Sequence, residues 1–119
     1  MPEPENAKSQ YMYVMHPLDP SKAAHPELWT AEDHESINLH WNWVEQATKD
    51  GVVLVAGRAQ DADGKGPAIV KFEAASEEEA THCFESEPFI ARGFATGRLH
   101  PFAIVLAGDD ALLATGRDS

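Results

Sequence analysis

Hydrophobic positions along the chain switch between a period of two and a period near 3.6. Residues 10–16 (QYMYVMH), rich in aromatics and valine, predict a first strand. Pro17, Pro20 and Pro26 break the pattern over 17–29, which reads as a loop. A helix is expected from Thr30: Thr30 with Asp33 resembles a capping box, and acids in the first turn suit the helix dipole. Ile37, Trp41, Val44 and Thr48 recur at helical spacing and predict its buried stripe, and Gly51 supplies the stop. Residues 52–57 (VVLVAG) read as a continuous apolar strand and 58–66 as a turn-rich connection. Residues 67–74 alternate, with Ala68, Val70 and Phe72 on one side and Ile69, Lys71 and Glu73 on the other. Ser76 with Glu79 makes a second capping box, and Ala80, Cys83 and Phe84 form an apolar helix face. Pro88 pushes Glu87 out of helical geometry, and 88–93 read as one extra turn with Pro first and Gly last. Residues 98–106 (RLHPFAIVL) predict the last strand. Residues 1–9 and 107–119 read as flexible tails around one domain over 10–106.

The resulting order, β-α-β-β-α-β, predicts an α+β ferredoxin-like fold: a four-stranded antiparallel sheet with two helices on one face. A sheet with one wet face alternates along its strands. The second and fourth predicted strands are instead apolar at nearly every position, so the face away from the helices is expected to be covered. A second copy of the chain is the simplest cover, which predicts a homodimer through the sheet faces.

Charge narrows the range of partners. The chain has 119 residues with 20 acids against 9 Lys and Arg, a formal net charge of -11. Phosphate binding and anionic membranes both call for basic surface, so neither nucleic acid nor membrane is an expected partner. No apolar run approaches the roughly 20 residues that span a bilayer, and the first ten residues lack the apolar stretch of a signal peptide. The single cysteine, Cys83, fits a reducing cytoplasm. The acids are concentrated: 27–50 hold six against Lys49, and 73–87 hold six with no base. Those two segments carry the whole net charge, and both read as helical. The acidity therefore describes an outer coat and leaves an anionic small-molecule ligand open, since screening confines surface charge to about 8–10 Å.

His40 lies at the border of the first helix's predicted stripe, where a ring can turn into a pocket or merely pack. An imidazole gives and takes protons near neutral pH. Glu87, on the Ala80/Phe84 face, reads either as a surface residue or as a carboxylate that orients His40; pairing requires a separation of roughly 3 Å or one bridging water. His16 ends the first strand, where pocket linings often lie. Arg58, Arg92 and Arg98 offer cations to an anionic or phenolate ligand. Among the aromatics, Trp41 reads as core, Trp43 and Phe89 as surfaces for a flat ring or for a subunit contact. Cys83, on an apolar face without a positioned base, reads as a small buried hydrophobe. His34-Glu35 opens like a zinc-protease motif, but its fifth position is Asn38; Asp61-Ala62-Asp63-Gly64 opens like a calcium loop, but its fifth and twelfth positions are Lys65 and Phe72. No phosphate-binding glycine loop and no Cys/His cluster of zinc spacing is present, so neither metal nor cofactor is expected.

Taken in order, these features resemble the YciI-like (YCII-related) family of dimeric α+β barrel proteins. The resemblance rests on Tyr11-Met12-Tyr13-Val14, on His40 eleven residues before Gly51, on Ala56-Gly57, and on Asp61-Ala62-Asp63-Gly64. It continues through Ser76-Glu77-Glu78-Glu79-Ala80, Glu87-Pro88-Phe89 with Gly93, and Pro101-Phe102. The family implies a pocket holding the helix histidine and the Asp of an Asp-Pro pair as acid and base. Its members include a dehydrochlorinase of chlorinated hydroxyhydroquinone, and related barrels include muconolactone isomerase. This chain departs at two points: Glu87 replaces the aspartate, and Arg58 stands where Gly-Pro is common. The resemblance implies a small cofactor-independent isomerase or lyase acting on a hydroxyaromatic or lactone, with His40 and Glu87 catalytic and His16, Trp43, Arg58 and Phe89 against the substrate. Two other readings share the barrel: a non-catalytic ligand-binding or regulatory module, and a cofactorless monooxygenase.

Overall fold

The computed structural model describes residues 8–106, so the first seven residues of the predicted N-terminal tail and the whole C-terminal one lie outside them. The chain runs β1 (Ser9–Pro17), α1 (Pro20–Ala24), a 3-10 turn (Pro26–Leu28), α2 (Ala31–Lys49), β2 (Val53–Arg58), β3 (Ala68–Ala74), α3 (Glu77–Ser86), α4 (Pro88–Ala91) and β4 (Ala95–Pro101). The four strands form one antiparallel sheet in the order β2-β3-β1-β4. Helices α2 and α3 are the two crossovers, which gives the α+β ferredoxin-like arrangement.

Odd positions of β1 and β4 and even positions of β3 face the helices. Tyr11, Tyr13, Met15, Val70, Phe72, Ala74 and Ala95 are buried there and, with Val53 and Ala80, form the core. Among these, each larger side chain such as Met15, Val70 or Phe72 contributes about 1.5–3 kcal/mol by burial. The opposite face carries Met12, Val14, Val55 and Ile69 among Lys71, Glu73, Arg98 and His100.

Four details depart from the sequence expectation. The proline-rich loop contains α1, capped by Asp19, which accepts the Ser21 N–H at 3.2 Å. The last strand begins at Ala95 instead of residue 98, because Pro17 at the far end of β1 pairs with Ala95 and draws the register back. The apolar run 102–106 then falls beyond the ladder, leaving Val105 and Leu106 exposed. The inward stripe of α2 is Ser36, Ile37, His40, Trp43, Val44 and Ala47, which keeps the expected Ile37 and Val44 but leaves Trp41 58 % exposed. Finally, the Ser76 hydroxyl accepts the Glu79 N–H at 3.1 Å, but Glu79 reaches back to the Ala75 N–H, one residue beyond the Ser76 N–H that a reciprocal box requires. The Thr30/Asp33 box on α2 is reciprocal, and Asp33 also binds Lys22 Nζ at 2.8 Å.

Candidate active site

Pro88 sets the geometry on which the site is built. It cannot continue α3, and Glu87 before it takes an extended backbone at φ -63° and ψ 126°. From there the Glu87 side chain turns inward and is fully buried. One oxygen accepts the Phe89 N–H at 3.0 Å and so caps α4; the other bonds to Nδ1 of His40 on α2. The carboxylate thus ties three helices together where α3 ends, α4 begins and α2 passes.

The His40 ring is held by two contacts at right angles. Its edge meets Glu87, and its face stacks on Phe89, with centroids 3.8 Å apart and planes 6° from parallel. Phe89 in turn stacks on Phe94 at 4.7 Å. Where the carboxylate is ionised it only accepts hydrogen bonds; Nδ1 is then the donor in this contact and, in a neutral ring, Nε2 keeps its lone pair. A neutral imidazole in this tautomer is a ready proton acceptor at Nε2.

Beyond Phe89 lies a cavity of about 140 Å³, lined by Met15, His16, Arg58, Phe89 and Phe94 among others. Three of the residues nominated from sequence for ligand contact, His16, Arg58 and Phe89, meet here. Trp43 does not line it: it packs against the core, because it falls on the inward stripe of α2. His40 does not line it either, and Phe89 stands between the two. Arg92 is engaged elsewhere, donating from Nε to Ser36 Oγ at 2.8 Å and standing 3.5 Å from Glu35. Arg98 lies on the open sheet face. Among the described residues no group of three or more His, Cys, Asp or Glu side chains is gathered as a metal site requires.

Sequence reasoning missed two groups near the pair. Phe94, directly after Gly93, builds the second ring of the stack. Tyr13, read only as part of a strand, is fully buried and packs on Phe84 at 5.2 Å and Phe72 at 5.9 Å. Burial, then the nearby charges of Glu87 and Cys83, push its phenol strongly upward from the ordinary tyrosine range. Burial and the charges of Glu79 and Glu87 likewise push the Cys83 thiol up to about 11.

The architecture and this cluster define a ferredoxin-like α+β domain with a histidine–carboxylate contact beside a small aromatic-walled cavity. The chain belongs to the YCII-related domain family, whose pattern matches residues 11–103. Among solved structures it is similar to 5-chloro-2-hydroxyhydroquinone dehydrochlorinase (TftG) of Burkholderia phenoliruptrix in complex with 2,5-dihydroxybenzoquinone. That likeness has a TM-score of 0.51 and 14% identity, and covers 77% of this chain and 93% of the other. A monooxygenase from the gene ActVA-Orf6 of Streptomyces coelicolor, in complex with nanaomycin D, matches with a TM-score of 0.41 and 14% identity over 85% of this chain and 94% of its own. No curated protein matches the sequence.

Proposed function

We propose that this chain is a cofactor-independent acid–base enzyme, an isomerase or lyase, for a small hydroxyaromatic or lactone substrate. The observation that carries the reading is the bond from His40 to a fully buried Glu87. Glu87 fixes the tautomer of His40, and Nε2 moves the proton. Arg58 and His16 take the anionic oxygens of the ligand, and Phe89, the ring between the cavity and His40, turns aside to let the ligand meet Nε2. Such a positioned pair contributes about 10²–10⁴-fold, enough for an activated substrate. The dehydrochlorinase that shares the fold acts, by its name, on a chlorinated hydroxyhydroquinone, which sets the first compounds to try.

The working unit in this reading is a cytoplasmic homodimer joined through the open sheet faces, with Met12, Val14, Val55 and Ile69 at the contact. A chain that sediments as a monomer at micromolar concentration overturns the dimer.

The test is turnover of hydroxyquinols, their chlorinated forms and small lactones, followed by absorbance in the parent and in His40→Asn. Asparagine keeps an N–H directed at Glu87 while removing the base. Turnover should fall by about 10²–10⁴-fold; full turnover in the variant refutes the role of His40.

One observation favours a second reading. His40 lies behind Phe89 and outside the cavity lining. A ligand-binding or regulatory module on the same barrel needs only the cavity. It predicts saturable binding of the same compounds, lost in Arg58→Ala, with no turnover by the parent.

A further inference from the structure

The Tyr13 hydroxyl is the one buried side-chain polar atom among the described residues with no hydrogen-bond partner in the protein. A buried phenol without a partner is destabilising relative to a satisfied one, and phenylalanine would fill the same ring site without that cost. The ring itself is well accounted for, packed between Phe72 and Phe84 on the helix-facing side of β1. The hydroxyl is not. Its neighbourhood is the end of α3, where Phe84 accepts the Glu87 N–H at 3.2 Å and Glu87 is buried with it.

Glu87 has acceptor capacity to spare. A carboxylate offers about four lone-pair directions, and the protein fills two, with Phe89 N–H and His40 Nδ1. A fully buried carboxylate and a fully buried unused donor therefore stand at the same helix end. The titratable groups turned to this point are His40 from α2, Cys83 from α3 and Tyr13 from β1, while Arg92 at the end of α4 is taken up by Ser36 and Glu35.

We propose that Tyr13 is a positioning residue for the His40–Glu87 pair, its hydroxyl supplying the further donor that the buried carboxylate accepts. The two groups are not hydrogen-bonded to each other as they stand, so the contact is made on side-chain rotation or through a bound water. The phenol then shares the negative charge of Glu87 and weakens its pull on the His40 proton. This rests on the reading of His40 and Glu87 as the working pair, but it concerns the proton affinity of the ring and can be measured without a substrate.

The sign follows directly. Removing the hydroxyl leaves a more basic carboxylate, which holds the protonated imidazole more strongly. In Tyr13→Phe the midpoint of the His40 ring titration, followed by NMR, should rise by about one pH unit, the equivalent of one hydrogen bond to a charged group. Replacing Tyr13 by 3-fluorotyrosine keeps the ring and strengthens the donor, so the midpoint should fall. Glu87→Gln in the same titration separates the two readings. If Glu87→Gln moves the His40 midpoint and neither Tyr13 variant does, Tyr13 is only a core ring and the inference is overturned. If Glu87→Gln leaves it unmoved, the pair itself is refuted. A rise in Tyr13→Phe with a fall in the fluorinated protein supports the assignment, and a merely structural tyrosine would produce neither.

Discussion

The two halves of the His40–Glu87 contact should respond very differently to removal. Glu87 is 0 % exposed, whereas the His40 side chain keeps 13 % of its surface in water. Deleting the imidazole in His40→Ala leaves a carboxylate in the core that keeps the Phe89 N–H, and the proposed Tyr13 donor, but loses its His40 partner. Losing a hydrogen bond to a buried charged group costs about 1.5–3 kcal/mol. For a domain of this size each kcal/mol lowers Tm by about 3–6 °C, so the variant should melt about 5–18 °C below the parent. Glu87→Gln strands nothing charged, because an imidazole can stay neutral. The amide oxygen can still accept the Phe89 N–H, and the amide nitrogen can donate to Nδ1. That variant should stay within about 1 kcal/mol of the parent. It must, however, move the ring proton to Nε2, because Nδ1 has become the acceptor. Thermal and urea unfolding measure the first effect, and long-range nitrogen–proton NMR correlations read the tautomer. Equal losses in the two variants, or an Nδ1–H tautomer persisting in Glu87→Gln, would show that the carboxylate does not govern the ring.

The remaining expectations concern the surroundings of the site. Trp43→Ala, which empties space against the core, should cost about 2 kcal/mol, and Trp41→Ala, at an exposed position, should stay within about 0.5 kcal/mol; the reverse order in urea unfolding would return the buried stripe of α2 to its sequence-based phase. The Cys83 thiol, pushed up to about 11, should react with iodoacetamide at pH 8 roughly a hundredfold more slowly than a free cysteine. A rate equal to that of the urea-unfolded chain refutes this. Lys22 first, with the Thr30 N–H next, holds the Asp33 carboxyl below its ordinary range. Its stabilising contribution is present above the unfolded value of about 3.9 and is lost as pH falls through the lower folded value. The stability gap between parent and Asp33→Asn should therefore close as pH drops below about 4, and a gap independent of pH contradicts the ion pair.

What the sequence made legible was local chemistry of short range. Thr30 and Asp33 announced the start of α2 because both partners of the reciprocal cap lie within one turn. Gly51 announced its end because the chain takes φ 80° there, a conformation glycine adopts freely. Alternation in β3 was plain, since Val70, Phe72 and Ala74 face the helices and their neighbours do not. The phase of α2 was not plain. Its inward face carries Ser36, His40 and Ala47 beside the expected Ile37 and Val44, while apolar Leu39 and Trp41 point outward, so a count of hydrophobic side chains turns the helix by about 75°, under one residue. The inward polar residues have partners distant in sequence, Arg92 for Ser36 and Glu87 for His40, and no periodicity announces those. The last strand was misread for a related reason. Apolar residues 102–106 look more like a strand than 95–97, yet pairing is set by the length of β1. The apolar fourth strand also supported the expected cover over the sheet, and that support weakens, because β4 presents Thr96, Arg98 and His100 to the open face.

The same atoms hold the fold and build the candidate site, and Glu87 shows why a sequence can carry both at once. Of the six acids over 73–87, Glu87 alone is fully buried. Pro88 ends one helix and begins another, and that junction exposes N–H groups which need an acceptor. Short side chains are the usual caps at such a point. Glutamate meets the need with a longer arm, one oxygen closing on Phe89 and the other extending to a helix 47 residues earlier in the chain. The aspartate common in this family would be one methylene shorter. Local folding requires only that some acceptor stand before the proline. Reaching His40 while capping Phe89 requires a carboxylate with two oxygens, and burial of both ends fixes the ring of His40 against Phe89. The acidity of the outer helices is therefore separate from the one acid that matters to the site. The first is solvated and screened, and the second acts at hydrogen-bond range inside the protein, where screening by salt is weakest.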